Sequence, residues 1–123
     1  MEYPFPPGKC LCHYRAFDIL SGGGSTMLRH IVLFKWKPET SPEQIQETEA
    51  GFAGMRDSIK VVRSMHFGPD LDLMEGTYDY AMVADFDSEG DWRSYRDHPD
   101  HIAFFQRFGH LAAGVARVQF EFN

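Results

Sequence analysis

Cysteine is scarce in this chain of 123 residues, and both cysteines, Cys10 and Cys12, lie near its start. A single C-x-C pair falls short of the paired ligands that structural zinc sites usually show, so we interpret the two residues as free thiols. No cysteine occurs in residues 27–123, which excludes catalysis by a thiol in that part of the chain.

The sequence also lacks the patterns that mark several classes of ligand and partner. It contains no G-x-G-x-x-G or P-loop motif, so a bound nucleotide is not indicated. The net charge is −6, and no clustered basic face suggests nucleic-acid binding. No apolar run approaches membrane-spanning length, and the start of the chain lacks the features of a secretory signal. We therefore expect a soluble, cytoplasmic protein that binds neither nucleic acid nor membrane.

Two segments differ in composition. Residues 1–26 contain three prolines among the first seven positions and end in a glycine run at 22–24, and both features argue against regular structure. We interpret this segment as an N-terminal extension that is disordered or that reflects a misassigned start codon, with Met27 as the native start. Residues 27–123 have the length and the aromatic content of one globular domain.

Hydrophobic periodicity in residues 27–123 predicts four strands and two helical regions. Ser41 and Gln44 form a capping-box pattern at the start of the first helix, and Ser88 caps the second. Pro99 interrupts the second helical region, so we expect a new helix from Pro99 to about Ala113. The predicted strands span residues 28–37, 61–68, 78–86 and 115–122. The predicted buried stripe of the last helix is Ile102, Phe105, Phe108 (or Gly109) and Ala112.

This order predicts an α+β, ferredoxin-like β-α-β-β-α-β fold, a four-stranded antiparallel sheet with helices on one face. The first and third strands are apolar on both faces, which suits the two central positions. The sheet face without helices then presents Ile31, Leu33, Ala81 and Val83, and an apolar patch of this kind implies a partner. We expect a homodimer that packs sheet against sheet as a dimeric α/β barrel.

The residues RHIVLFKWK and YDYAMVADFDSEGDWRSYRDHPDHIAF resemble the stress-responsive A/B barrel (Dabb) family over about residues 27–123. The most specific elements are His30 in the first strand and the Y-x-x-H-P-x-H run from Tyr95 to His101. A characterised plant member of the family is a polyketide cyclase that performs an aldol condensation. The resemblance implies His101 as the catalytic base, with Tyr95 and His30 beside it; Tyr80 departs from that cyclase, which has histidine there.

The residues themselves are compatible with this chemistry. His101 lies near the start of its helix, where the dipole favours a neutral imidazole that can accept a proton. Tyr95 can donate a hydrogen bond to a carbonyl that becomes an enolate. We predict a pocket between the sheet and the helices in which a small hydrophobic carbonyl compound is bound with no cofactor. The predicted substrate-binding residues are Tyr80, His98, Val32, Phe34 and Phe105.

Other interpretations of the same residues stay open at this point. His98 precedes Pro99 and suits a helix-capping role, Tyr95 suits the core, and His30 suits a structural hydrogen bond. The H-P-D-H run does not have the four-residue spacing of helical metal ligands, so we predict no metal site. The alternatives to a cyclase or lyase are a non-catalytic ligand-binding or structural module and a cofactor-free monooxygenase of the wider dimeric α/β-barrel group.

Overall fold

The computed structural model describes residues 26–123, and the proposed extension at residues 1–26 lies outside them except for its last residue. The order of elements is β-α-β-β-α-α-β, as predicted once the break at Pro99 is counted. No helix in the described range is long and apolar enough to cross a bilayer. The elements are β1 (Met27–Trp36), α1 (Pro42–Ser58), β2 (Ser64–Pro69), β3 (Tyr80–Phe86), α2 (Glu89–Asp97), α3 (Pro99–Phe108), a 3₁₀ turn (Gly109–Leu111) and β4 (Ala112–Phe122).

The four strands form one antiparallel sheet in the order β2-β3-β1-β4, which confirms that the first and third strands are central. His30 pairs with Ala84 on one side and with Gln119 on the other, and these residues face the helices. Side chains alternate between the faces of a strand, so Ile31 and its partners Val83 and Val118 lie on the opposite face. We call the two surfaces the helix face and the outer face of the sheet.

Local sequence signals begin the first two helices as predicted. The Ser41 hydroxyl accepts a hydrogen bond from the Gln44 amide (3.1 Å), and the Gln44 side chain accepts one from the Ser41 amide (2.9 Å). The Ser88 hydroxyl caps α2 by accepting from the Asp91 amide. These caps satisfy backbone N–H groups that have no partner within a helix.

The core lies between the helix face and the three helices. The best-buried large side chains come from both layers, with Phe52 from α1, Tyr80 and Phe86 from β3, and Tyr95 from α2. Phe52 lies 4.8 Å from the Phe104 ring of α3, ring centre to ring centre, so α1 and α3 are joined through aromatic packing.

The predicted end of the last helix was wrong. Helix α3 ends at Phe108 rather than near Ala113, and Gly114, the residue after the predicted helix, lies within β4. The Leu111 carbonyl accepts a hydrogen bond from the Lys37 amide, and Ala112 already pairs with Trp36, so pairing with β1 draws the chain into the sheet early.

The predicted buried stripe of that helix was correct at Phe108, which is buried, but wrong at Ile102 and Phe105, which are 46% and 49% exposed. Phe104 packs against the core instead, and Leu111 is buried after the end of the helix. Two strands also begin later than predicted, at Ser64 and Tyr80. The Val62 amide closes a turn onto the Ile59 carbonyl just before the first of them.

Candidate functional site

A cavity of about 360 Å³ lies between the helix face of the sheet and the helices. Its walls are mainly apolar and aromatic, as is usual for sites that bind small organic molecules. The predicted residues His101, Tyr95, His30, Val32, Phe34 and Phe105 all line it. The further lining residues include Trp36, Thr48, Phe52, Met55, Met82, Trp92, Arg96, Phe104, Phe108, Val115, Arg117 and Gln119.

The imidazole of His101 is oriented by the end of the preceding helix. Its Nδ1 lies 2.9 Å from the Arg96 carbonyl oxygen, which can only accept a hydrogen bond, so Nδ1 carries the proton. The Arg96 carbonyl is free for this bond because the Asp100 amide donates to His98 Nδ1 instead of continuing the helix. The lone pair of a neutral His101 therefore resides on Nε2.

The charge state of His101 suits a base. Burial lowers the pKa of His101 below its ordinary value, the hydrogen bond to the Arg96 carbonyl opposes this effect, and the positive charge of Arg117 lowers the pKa further. The imidazole is consequently neutral at pH 7 and able to accept a proton.

His30 is held in the complementary tautomer. The Gln119 side-chain nitrogen lies 2.9 Å from His30 Nδ1, and an amide nitrogen donates, so Nδ1 accepts and Nε2 carries the proton. Burial lowers the pKa of His30 to about 4, with smaller contributions from His101 and Arg117. His30 is therefore a neutral imidazole with one N–H donor at the cavity wall.

The Tyr95 ring lies next to both histidines. Its ring centre lies 4.6 Å from that of His101 and 5.9 Å from that of His30. Burial is the cause of the raised pKa of Tyr95, with no contribution from a hydrogen bond or charge in the described chain, so the hydroxyl stays protonated and available as a donor. Trp92 lies against His30, and its indole nitrogen is buried without a hydrogen-bond partner among the described residues.

Two predicted binding residues do not line the cavity. Tyr80 is 1% exposed, and its hydroxyl donates a hydrogen bond to Glu49 (2.8 Å), so its ring supports the wall behind Phe34 and Trp36. His98 caps α3 by accepting from the Asp100 amide at 3.0 Å. The capping role is thus the one that the structure gives to His98.

Arg117 and Gln119 are cavity residues that the sequence reading did not identify. They alternate with Val118 and Phe120, a pattern that normally places polar residues in water and apolar ones in a core. Here the register with β1 places Arg117 opposite Val32 and Gln119 opposite His30, on the helix face. Phe105, Arg117 and Gln119 lie on the exposed side of the cavity, which we call its mouth.

The described residues contain no cluster of three or more His, Cys, Asp or Glu side chains placed to hold a metal ion. The two cavity histidines each use Nδ1 in a hydrogen bond within the protein. Each imidazole therefore has only Nε2 left for a further contact in the cavity.

Comparison with known proteins gives relatives of the same fold. The chain is 28% identical over 79 residues to the stress-response A/B barrel domain-containing protein HS1 of Arabidopsis thaliana. The matched region covers 63% of this chain and 72% of that protein. A dimeric ferredoxin-like protein of unknown function from Thermobifida fusca YX is 36% identical, with a TM-score of 0.74 over 80% of this chain and 92% of the other.

A hydroxynitrile lyase from Passiflora edulis shares the fold at 19% identity, with a TM-score of 0.75 over 81% of this chain and 96% of the lyase. The predicted family membership is confirmed by a match over the whole domain. Residues 28–123 match the model of the stress responsive A/B barrel domain, and the chain belongs to this family.

Proposed function

We propose that the cavity binds a small hydrophobic carbonyl compound and that His101 acts as a general base on it, in a reaction of the cyclase or lyase class. The observation that carries the proposal is the hydrogen bond from His101 Nδ1 to the Arg96 carbonyl. This bond fixes the tautomer and leaves Nε2 as the proton acceptor in a mainly apolar cavity. The chemistry needs only side chains of the protein.

In the proposed step, Nε2 of His101 takes a proton from the carbon next to the carbonyl, and the C–H electron pair becomes the enolate. The developing oxyanion accepts hydrogen bonds from the Tyr95 hydroxyl and from Nε2–H of His30. Both donors are neutral and protonated at pH 7, and donors of this kind are most effective where water is excluded. The enolate then attacks a second carbonyl in a cyclase, or is reprotonated.

The hydroxynitrile lyase of the same fold supports a closely related alternative for the substrate. If the bound compound is a cyanohydrin, the base takes the hydroxyl proton, the carbon–carbon bond to the nitrile breaks, and a carbonyl compound and cyanide are released. Both reactions need a base beside a hydrogen-bond donor, the base acting on the C–H group next to the carbonyl in the first and on the hydroxyl group in the second, and His101 and Tyr95 supply these groups.

We further propose that two copies of the chain pack through the outer face of the sheet. Val118 and Phe120 are 50% and 44% exposed on that face, and Ile31 lies beside Val118. Relatives of this fold from Thermobifida fusca and Bacteroides fragilis are described as dimeric, at 36% and 27% identity. Burial of these side chains against a second copy removes apolar area from water.

Exchange of hydrogen for deuterium next to a ketone tests the base directly. With 4-phenylbutan-2-one as the probe in D₂O, proton NMR should show exchange above the buffer rate with the wild-type protein. His101→Gln should reduce the excess rate by at least about 100-fold and Tyr95→Phe by about 10-fold or more.

His110→Gln is the control, since His110 is exposed, lies outside the cavity and takes no part in the bonds that orient His101, and it should retain the activity. Release of benzaldehyde from mandelonitrile tests the lyase alternative with the same variants. Binding of the ketone without exchange, and without cleavage of mandelonitrile, would contradict catalysis and leave a ligand-binding module. Oxygen consumption that His101→Gln does not change would favour a monooxygenase.

A further inference from the structure

Among the described residues, the charged side chains that line the cavity are of one sign. Arg96 and Arg117 contribute to its wall, and no aspartate or glutamate of residues 26–123 does. The chain as a whole carries a net charge of −6, so this distribution is opposite to that of the protein. Positive side chains at the cavity of an acidic protein favour a ligand that carries a negative charge.

The two arginines differ in their partners. Arg96 forms a two-pronged ion pair with Asp97, with nitrogen–oxygen distances of 2.9 and 3.0 Å. No ion pair joins Arg117 to a carboxylate within residues 26–123. Arg117 therefore presents the guanidinium that is available to a ligand at the mouth.

Arg117 and the proposed base have Phe105 as a common neighbour. Its guanidinium carbon lies 5.9 Å from the centre of the Phe105 ring, and that ring centre lies 6.5 Å from the centre of the His101 imidazole. Phe105 is thus near both the cation and the base. A ligand with its anionic group at Arg117 can place its apolar part against Phe105 in the cavity that His101 and Tyr95 also line.

We propose that the ligand is an amphipathic acid, an apolar carbonyl compound whose carboxylate is held at the mouth of the cavity by Arg117. This inference rests on the proposed function for the position of the carbonyl group, but the carboxylate site stands on the geometry of β4 and α3 alone. Arginine suits the task because its planar guanidinium binds a carboxylate through two parallel hydrogen bonds. Phe105 gives the acid an aromatic surface beside the anion.

Binding of a matched acid and ester tests the proposal without any turnover. The probes are 4-oxo-4-phenylbutanoate and its methyl ester, titrated into the full-length protein and followed by isothermal calorimetry. We expect the acid to bind the wild-type protein about 10-fold more tightly than the ester, an advantage that salt reduces. Arg117→Gln should abolish the preference without weakening the ester, and Arg117→Lys should retain part of it.

Arg107→Gln is the control, because Arg107 lies on α3 but is exposed and paired with Glu47, and it should keep the full preference for the acid. Equal affinities for acid and ester in the wild type would overturn the proposal, as would a preference that persists in Arg117→Gln. If the wild-type protein prefers the acid but catalyses no deuterium exchange, the carboxylate site stands and the proposed function fails. If neither probe binds, both fail.

Discussion

The imidazole of His101 lies 4.6 Å from the Tyr95 ring, measured between ring centres, although the two residues are six positions apart along helical chain. In an uninterrupted helix, six residues at about 100° each place two side chains on different faces. The break at Pro99 redirects the chain, and it also leaves the Arg96 carbonyl free to accept from His101. One interruption therefore brings the base to Tyr95 and fixes its tautomer.

Two glycines in α1 provide a test of how this helix packs. A Cβ atom added at Gly51 would lie 2.8 Å from the rings of Phe104 and Phe108, whereas one at Gly54 would meet nothing within 4 Å. Gly54→Ala should raise the free energy of unfolding by about 0.5 to 1 kcal/mol, because it lowers the entropy of the unfolded chain. Gly51→Ala should lower it by about 1 to 3 kcal/mol through overpacking.

Urea denaturation of the two variants beside the wild type measures both effects. Equal stabilisation by the two substitutions would show that α1 and α3 do not approach each other as closely as described. Because Phe104 and Phe108 also line the cavity, Gly51→Ala should weaken ligand binding as well, and Gly54→Ala should not.

His30 should make the stability of the domain depend on pH. The unfolded chain binds a proton at His30 with the ordinary pKa of 6.5, whereas burial lowers the pKa in the folded state to about 4. Between these values the unfolded state binds more protons, so the free energy of unfolding falls as the pH is lowered from 6.5 towards 4, by about 3 kcal/mol at most. Above pH 6.5 the contribution of neutral His30 is fully present.

Chemical denaturation at pH 7 and pH 4.5 measures this loss. In His30→Gln the loss should be smaller, since the new amide can still bond Gln119 but does not titrate. His110→Gln, at an exposed position, should behave like the wild type. A pH dependence that His30→Gln leaves unchanged would mean that another group is responsible.

A charge on the outer face should separate the proposed dimer. Val118→Glu places a carboxylate among apolar side chains that pack against the second copy, and burying it unpaired is unfavourable. Sedimentation at micromolar concentration should give a dimer for the wild type and a monomer for the variant. Lys60→Glu, at an exposed position after α1, is the control and should stay dimeric; a monomeric wild type would refute the proposed assembly.

The sequence predicted those features of the fold that depend on local patterns. The cap residues Ser41 and Ser88 and the central positions of β1 and β3 follow from hydrogen-bonding chemistry and from the distribution of apolar residues. The end of α3 did not follow, because pairing of Ala112 with Trp36 overrides a helical pattern that would otherwise continue. Tertiary contacts of this kind are not visible in a window of neighbouring residues.

Only part of the candidate site was predicted, because some of its residues reach the cavity through tertiary contacts. His30, Tyr95 and His101 carry a family pattern, and they do line one cavity. Gln119 and Arg117 carry none, since only the register between β1 and β4 places these polar residues on the helix face. The role of His98 as a cap was one of two open interpretations, and the hydrogen bond from the Asp100 amide distinguishes them.

The tautomer of His101 is the point on which the proposed chemistry depends most directly. Two-dimensional ¹H–¹⁵N NMR of the histidine side chains at pH 7 distinguishes a protonated ring nitrogen from an unprotonated one, and His101→Gln assigns the signal. We predict a neutral His101 with the proton on Nδ1 and the lone pair on Nε2. A signal that shows the proton on Nε2, or a charged imidazolium at pH 7, would contradict it.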